Sequence, residues 1–231
     1  MTGLNATVIL AISADGKIAD AVRSPARFGS AKDKAHLEQQ VAASDAVLFG
    51  NGTLQAYGTT MRVISPELVK QRELQGKPPQ PVQIVCSRSA EFDPNLRFCQ
   101  QPVPRWLLTG QDSRETALPS PDPTKDSKFD RIIYAKTAGG EIDWIDAFQQ
   151  LANFDIKRLA ILGGGKLVAS VLAAGLVDEL WLTVCPLILG GADAPTPVEG
   201  KGFLADLAPK LELLAVKQVG QEVFLHYRVD R

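Results

Sequence analysis

Short apolar segments rich in β-branched residues recur along this chain, and segments with helical periodicity lie between them. This alternation is typical of an α/β fold, in which helices flank a mostly parallel sheet whose strands are buried on both faces. The predicted strands are residues 6–12, 46–49, 82–86, 105–109, 131–135, 158–162 and 180–189, the last of them interrupted by a proline.

The helix signals fit the same arrangement. Ser30 to Asp33 forms a capping-box pattern, and Ser65 followed by Pro66 predicts a second, short helix to Gln75. Two more helices are predicted from apolar faces, one made of Ile145, Phe148, Leu151 and Ala152, the other of Leu167, Val168, Val171 and Leu172, with Gly175 as the C-terminal αL residue.

The end of the chain changes to strand-like alternation. Residues 211–219 and 223–229 flank the turn Gly220-Gln221, which predicts an antiparallel hairpin at the edge of the sheet. The three prolines within 119–123 predict a surface loop. Because no repeat, long linker or charge block divides the chain, we expect a single α/β domain over residues 1–231.

Charge and composition exclude several classes of function. Lys plus Arg total 25 against 26 for Asp plus Glu, so the formal charge is −1 and a dedicated nucleic-acid binder is not expected. The apolar segments are shorter than the roughly 20 residues that a membrane helix needs, and no signal-peptide pattern precedes them, which favours a cytoplasmic protein. Three cysteines and two histidines lack zinc-ligand spacing, so no metal site is predicted.

Two glycine-bearing turns are the strongest candidates for ligand binding. Gly163-Gly-Gly-Lys166 lies between a strand and a helix, where backbone N–H groups and the helix dipole converge on a phosphate. Gly50-Asn-Gly-Thr53 follows another strand and offers further N–H groups and a hydroxyl. Each turn alone also fits a purely structural role, but together they favour a dinucleotide that spans both.

Other polar residues at strand ends have two readings. Asp15 and Lys17 form either a polar pair beside a substrate or ordinary turn chemistry. Ser87 and Arg88 either bind a ribose 2′-phosphate or are solvated residues on the surface. His226 is interpreted as a packed histidine rather than a general base.

Five segments in order then give a resemblance. Residues 12–19 read ISADGKIA, 45–53 DAVLFGNGT, 161–167 ILGGGKL, 175–180 GLVDEL and 186–191 PLILGG. In sequence and spacing they are similar to the RibD C-terminal reductase family of riboflavin biosynthesis, over nearly the whole chain. The resemblance implies a dihydrofolate-reductase-like fold.

It further implies a homodimeric, NADPH-dependent reductase that delivers hydride to C1 of a ribosylamino pyrimidine phosphate, such as 5-amino-6-(5-phosphoribosylamino)uracil. Lys17 and Asp15 are then the candidate catalytic residues, with Lys17 orienting or protonating the sugar oxygen. The candidate cofactor contacts, from the turns and the resemblance together, are Ser13, Gly50, Gly52, Thr53, Ser87, Arg88, Gly163, Gly164, Gly165, Lys166 and Leu167.

Positions on the substrate side differ from the family pattern. Leu162 stands where many members have Glu, Val41 where a phosphate-binding Arg is usual, and Tyr57-Gly58 where paired aspartates are common; Arg27 to Ser30 replaces a Trp-containing segment. Two alternatives therefore stay open: a relative that reduces another pterin- or pyrimidine-like substrate, and a non-catalytic nucleotide-binding protein. The motifs of the companion zinc deaminase are absent from the sequence.

Overall fold

The computed structural model describes residues 3–88, 93, 95–112 and 129–230. Its strands are β1 Asn5–Ser13, β2 Ala46–Gly50, β3 Val82–Cys86, β4 Arg105–Gly110, β5 Arg131–Ala135, β6 Thr137–Ala138, β7 Glu141–Ile142, β8 Arg158–Ile161, β9 Glu179–Cys185, β10 Leu211–Val219 and β11 Glu222–Val229. Its α-helices are α1 Ala31–Ala43, α2 Asn51–Tyr57, α3 Pro66–Leu74, α4 Trp144–Asn153 and α5 Gly165–Ala173, with a short 3-10 helix at Arg97–Gln100.

Nine strands form one sheet in the order β10-β11-β9-β1-β8-β2-β3-β4-β5, and β6 and β7 form a separate pair. All neighbours from β9 to β5 are parallel, whereas β11 runs antiparallel to both β9 and β10. The predicted α/β class, with a mostly parallel sheet and a C-terminal antiparallel hairpin, is confirmed.

The order of the strands determines where a ligand can bind. The chain leaves β1, passes through α1 and returns as β2, but β8 is inserted between these two strands. The carboxyl ends of β1, β8 and β2 therefore lie side by side at a point where the strand order changes direction. In open α/β sheets, this is the location of the ligand crevice.

Helices cover both faces of the sheet. Along β1, Val8 and Leu10 pack into a core with α4 and α5, whereas Ile9 packs into a second core with α1 and α2. The alternation of side chains along a strand produces these two layers. Because both faces of the central strands are buried in these layers, the strands are apolar nearly throughout, as the sequence pattern predicted.

Three local expectations need correction. The segment after β2 is the helix α2, which ends at Gly58 in the αL conformation, rather than a simple turn. Strand β9 ends at Cys185, because Pro186 cannot continue the ladder. Ile145 is 59% exposed, and the buried face of α4 consists instead of Trp144, Ala147, Phe148 and Leu151.

The loop predicted around prolines 119–123 lies outside the described residues. Within the part of the chain that the structure describes, no helix is both long enough and apolar enough to cross a bilayer.

Candidate functional site

The two glycine turns predicted from the sequence lie against each other. They follow β2 and β8, which are neighbours in the sheet, and the backbone N–H of Gly50 donates a hydrogen bond of 2.9 Å to the carbonyl of Gly163. Just before them, the N–H of Leu162 donates to the carbonyl of Leu48, also at 2.9 Å. The parallel pairing of β2 and β8 therefore continues directly into a joined pair of turns.

Both turns lead into helices that have no side-chain cap. Gly50 is the N-cap of α2 and Gly164 that of α5, and neither N-cap forms a side-chain hydrogen bond. The first backbone N–H groups of each helix therefore remain available to an external acceptor, at the positive end of the helix dipole. This arrangement suits a pyrophosphate.

The glycines of the second turn have different physical roles. A β-carbon on Gly164 would meet only the hydroxyl oxygen of Thr53, at 3.6 Å. A β-carbon on Gly165 would instead overlap the carbonyl oxygen of Thr196 and crowd the side chain of Glu199. Gly165 is thus required by packing against the 196–199 segment, whereas Gly164 leaves open space beside Thr53.

A cavity of about 780 Å³ opens along these turns. Its wall includes seven of the predicted cofactor contacts: Gly50, Gly52, Thr53, Gly164, Gly165, Lys166 and Leu167. Ser13, Asp15, Lys17, Ser87, Arg88 and Gly163 do not contribute to the wall. The volume lies within the range of small-molecule and cofactor sites.

Charged residues that were not among the predicted catalytic and cofactor-binding residues also line this cavity. They are Arg23, Arg27, Asp33, Lys34 and Glu199. A narrower cleft of about 340 Å³ shares Lys34 with the main cavity and adds Arg62 and Arg97 to its wall. These residues come from separate loops and helices without a local motif, so only the fold brings them together.

The turn after β1 is held by three hydrogen bonds to the carboxylate of Asp15. The Ser13 hydroxyl donates to Asp15 Oδ1 at 2.6 Å, and the N–H groups of Leu189 and Gly190 donate to the two oxygens of Asp15 at 3.0 and 2.7 Å. These hydrogen bonds, the one from Ser13 first, lower the pKa of Asp15 to about 2. Asp15 therefore holds the 189–190 segment against the end of β1.

Lys17 lies at the border of the cavity rather than in its wall. Its Nζ donates to the carbonyl oxygen of Ala194 at 3.2 Å, and its own N–H donates to the hydroxyl of Ser13. The next residue, Ile18, and the neighbour of Ala194, Pro195, do line the cavity.

Ser87 and Arg88 follow β3, one strand further along the sheet. Ser87 is buried, and its N–H donates to the carbonyl of Leu108 at 3.0 Å. The side chain of Arg88 is 74% exposed and lies 3.2 Å from Glu141. Such an exposed ion pair contributes little to stability and leaves the guanidinium accessible.

The substrate-side positions differ in their surroundings. Leu162 and Tyr57 line the cavity, and the Tyr57 hydroxyl donates to the carbonyl of Ala26 at 2.9 Å. Burial raises the pKa of Tyr57. Val41 is fully buried in the core beneath α1 and does not reach the cavity.

Histidines and cysteines are not part of the cavity wall. His36 packs edge-on against Trp181, and His226 stacks on the same indole while its Nε2 lies 2.8 Å from Glu179. Desolvation raises the pKa of both Cys86 and Cys185 to about 12. In the described residues, no cluster of His, Cys, Asp and Glu has the arrangement of a metal site.

Comparison with known proteins supports the motif-based resemblance. The family model of the RibD C-terminal domain matches residues 6–225. A curated relative from Archaeoglobus fulgidus, 2,5-diamino-6-ribosylamino-4(3H)-pyrimidinone 5′-phosphate reductase, is 27% identical over 226 residues and is covered to 97%, as is this chain.

Solved structures show the same fold. A pyrimidine reductase-like protein from Corynebacterium diphtheriae superposes with a TM-score of 0.79 at 23% identity, over 99% of this chain and 92% of that one. Dihydrofolate reductase from Enterococcus faecalis, solved in complex with NADP(H), superposes with a TM-score of 0.51 at 11% identity, over 100% and 99% of the two chains. The expected dihydrofolate-reductase-like fold is confirmed.

Proposed function

Because this chain belongs to the RibD C-terminal domain family, we propose that it is an NADPH-dependent reductase of a ribosylaminopyrimidine phosphate. The observation that carries this proposal is the cavity at the carboxyl ends of β1, β8 and β2, where two uncapped helix N-termini meet through the hydrogen bond from Gly50 to Gly163. The name of the Archaeoglobus fulgidus relative supports a pyrimidine ribosylamine phosphate as the substrate.

The residues present fit the cofactor. The first turn of α5 and the Gly52 and Thr53 end of α2 would hold the pyrophosphate, with Lys166 beside it. Ser87 and Arg88 would contact the 2′-phosphate at the end of β3, where Arg88 is exposed. When bound, NADPH supplies the hydride that reduces C1 of the ribosylamino group.

The chain's own residues then have to bind the sugar phosphate and deliver one proton. As C1 gains a hydrogen, its bond to the ring oxygen breaks, the C1–N bond is kept, and the ring oxygen takes up a proton to give the open ribityl chain. Lys17 is our proposed donor or orienting group for that oxygen, and it would exchange its bond to the Ala194 carbonyl for this role. Asp15 would hold the turn that carries Lys17 in place.

Cations on the wall support a phosphorylated substrate. Arg23, Arg27 and Lys34 line the main cavity, and Lys34 also belongs to the narrower cleft with Arg62 and Arg97. Guanidinium and ammonium groups bind phosphate monoesters through charge-assisted hydrogen bonds. The buried Val41 takes no part, so these cations replace the arginine that the family resemblance places at that position.

The hairpin of β10 and β11 supports a homodimer. Strand β10 is one of the two edges of the sheet, and the β-bulge between Leu213 and Ala215 places Leu213 and Val216 on one face of it, where they are 52% and 58% exposed. Their cross-strand partners Tyr227 and Leu225 extend the same face. A long edge strand with an exposed apolar face tends to associate with another chain. A second copy of this protein presents the same face, so the two copies can bury these faces against each other in a symmetric dimer.

The family model also supports treating the whole chain as one reductase domain, because residues 6–225 include nearly every strand of the sheet. All three cysteines are free, which suits a reducing, cytoplasmic compartment.

The decisive experiment incubates the purified protein and NADPH with two ribosylaminopyrimidine phosphates, the 2,5-diamino-pyrimidinone and the 5-amino-uracil. We expect the NADPH absorbance band to fall with one of them, and the ribityl product to be identified by mass spectrometry. Pterins serve as the comparison for a different substrate. NADPH binding without turnover of any of these compounds would instead favour a non-catalytic nucleotide-binding protein.

A further inference from the structure

The first turn of α1 contains a carboxylate that does not have its usual structural partner. Ser30 is the N-cap, and its hydroxyl oxygen accepts hydrogen bonds from the N–H groups of Lys32 and Asp33 at 3.1 and 3.3 Å. In a complete capping box, the side chain three residues after the cap accepts the N–H of the cap residue. Asp33 occupies that position.

Glu222 takes this role from Asp33. The Ser30 N–H donates to one oxygen of Glu222 at 2.7 Å, and the Ser30 hydroxyl donates to the other at 2.6 Å. Glu222 is the first residue of β11 and is only 3% exposed, so the hairpin delivers a buried carboxylate to the helix start. The carboxylate of Asp33 is thereby released from capping.

The released carboxylate lies in the wall of the main cavity. The hydroxyl of Thr183 lies beside it, and Gly29 lies so close that a β-carbon there would overlap Asp33 Oδ2. Burial raises the pKa of Asp33, and the charge of Glu222 acts in the same direction, although the Thr183 hydroxyl opposes them. N–H groups of a bound ligand would stabilise the ionised form of a half-buried carboxylate in these surroundings.

The other carboxylate among the described residues of the cavity wall is already neutralised. Glu199 lies 3.0 Å from the guanidinium of Arg23. Among the described residues, no lysine, arginine or histidine forms an ion pair with Asp33. The apolar side chains of Ile9 and Leu37 line the same cavity and suit the face of a flat ring, and Leu37 lies one helical turn after Asp33 on α1.

We infer that Asp33 binds the amino-pyrimidinone edge of the substrate and selects the 2-amino compound over the corresponding uracil. A 2-amino group and the adjacent ring N–H present two parallel donors, which match the two oxygens of a carboxylate. A uracil has a carbonyl oxygen at the same position, and this oxygen faces the carboxylate with like partial charge. The inference rests on the proposed function and narrows its substrate to the pyrimidine that has not been deaminated.

The test compares kcat/KM of the wild type and Asp33→Asn for the 2,5-diamino-pyrimidinone and the 5-amino-uracil ribosylamine phosphates. Asparagine keeps the shape of the side chain but offers one acceptor and one donor. We expect kcat/KM for the 2-amino substrate to fall about tenfold to a hundredfold, as for a lost charge-assisted hydrogen bond, with little loss or a gain for the uracil. The NADPH dissociation constant should stay unchanged.

Two further variants make the result specific. Glu67→Gln removes a carboxylate from the first turn of α3, which does not line the cavity, and should leave the ratio of the two kcat/KM values as in the wild type. Gly29→Ala should shift the ratio in the same direction as Asp33→Asn, because its β-carbon displaces the carboxylate. It keeps the native Asp33, so it also serves if Asp33→Asn does not fold.

An unchanged ratio in a folded, NADPH-binding Asp33→Asn or Gly29→Ala protein overturns the inference. If the wild type reduces neither substrate, the proposed function fails, and Asp33 is tested by calorimetry with 2-amino-4-hydroxypyrimidine and uracil. Tighter binding of the amino compound that disappears in Asp33→Asn then supports the recognition role. Equal binding of the two compounds by the wild type overturns it.

Discussion

Asp15 connects two loops through hydrogen bonds to a single carboxylate, and this connection makes the stability of the protein depend on pH. The hydrogen bonds from Ser13 and from the N–H groups of Leu189 and Gly190 lower the pKa of Asp15 from 3.8 to about 2. Since the pKa in the folded state is below that in the unfolded state, the stabilisation is complete above pH 3.8 and is lost as the pH falls toward 2.

We therefore expect Asp15→Asn to lower the free energy of unfolding at neutral pH, with a difference from the wild type that shrinks between pH 3.8 and 2. Urea unfolding at a series of pH values measures this difference. The exposed Asp193 provides a control, because Asp193→Asn should change little at any pH. A difference for Asp15→Asn that does not vary with pH would contradict the assignment.

Lys17 tests the chemical step at the residue scale. If its ammonium serves the sugar oxygen, Lys17→Ala should lower kcat about tenfold to a thousandfold, the range found for groups that stabilise developing charge, with NADPH affinity nearly intact. Lys157→Ala, which changes an exposed lysine just before β8, is the matched control. Full turnover by Lys17→Ala would show that the contact with the Ala194 carbonyl is its whole role.

Adjacent glycines of the second turn should respond differently to substitution. Gly164 has an extended backbone, with φ −74° and ψ −179°, so Gly164→Val should fold and weaken NADPH binding about tenfold or more by blocking approach to the backbone. Gly165→Ala should instead lower the melting temperature, because its β-carbon overlaps the Thr196 carbonyl. Fluorescence titration and thermal unfolding separate the two effects; unchanged affinity in folded Gly164→Val would remove this turn from the cofactor site.

At the scale of elements, the β10–β11 hairpin has two functions. Its turn places Glu222 against the start of α1, and its outer strand presents Leu213 and Val216 to solvent. Strand β9 is hydrogen-bonded on both sides, to β1 and β11, so the edge strand at this end of the sheet is β10.

The double variant Leu213→Glu/Val216→Glu should therefore convert a dimer into monomers, because two carboxylates in an apolar interface lose their hydration. Sedimentation analysis would show the mass fall from twice 24.9 kDa to 24.9 kDa. Leu207→Glu changes a leucine outside the hairpin that is more exposed, at 71%, and should leave the mass unchanged. A wild type that is monomeric at micromolar concentration would contradict the proposed dimer.

At the scale of the whole molecule, the charge is nearly balanced, at −1, whereas the cavity and its adjoining cleft collect cations such as Arg27, Lys34 and Arg62. Attraction of a phosphorylated substrate is therefore local, and salt screens it within about 10 Å at 0.1 M. We expect KM for the phosphorylated substrate to rise with ionic strength and KM for its dephosphorylated form to stay nearly constant. Parallel salt dependence of the two would argue against these cations as the phosphate site.

Local sequence patterns determined the nine strands of the main sheet, most helix starts and the two glycine turns, because periodicity, capping and glycine conformations act over a few residues. The short pair β6 and β7 was not predicted. Strand β3 and the hairpin turn at Gly220-Gln221 are where the pattern predicts them. Helix α2 was missed, since its start resembles an Asn-Gly turn.

What only the tertiary structure decided is which charged groups share the cavity. The pattern at Ser30 to Asp33 describes a capping box, but the strand order brings Glu222, almost two hundred residues away, to the same helix start and frees Asp33 for the cavity. Arg23, Lys34 and Glu199 likewise meet there from separate segments. Pairing between distant segments depends on sheet topology, which no local pattern contains, so the two glycine turns were readable from the sequence and the set of charged groups in the cavity wall was not.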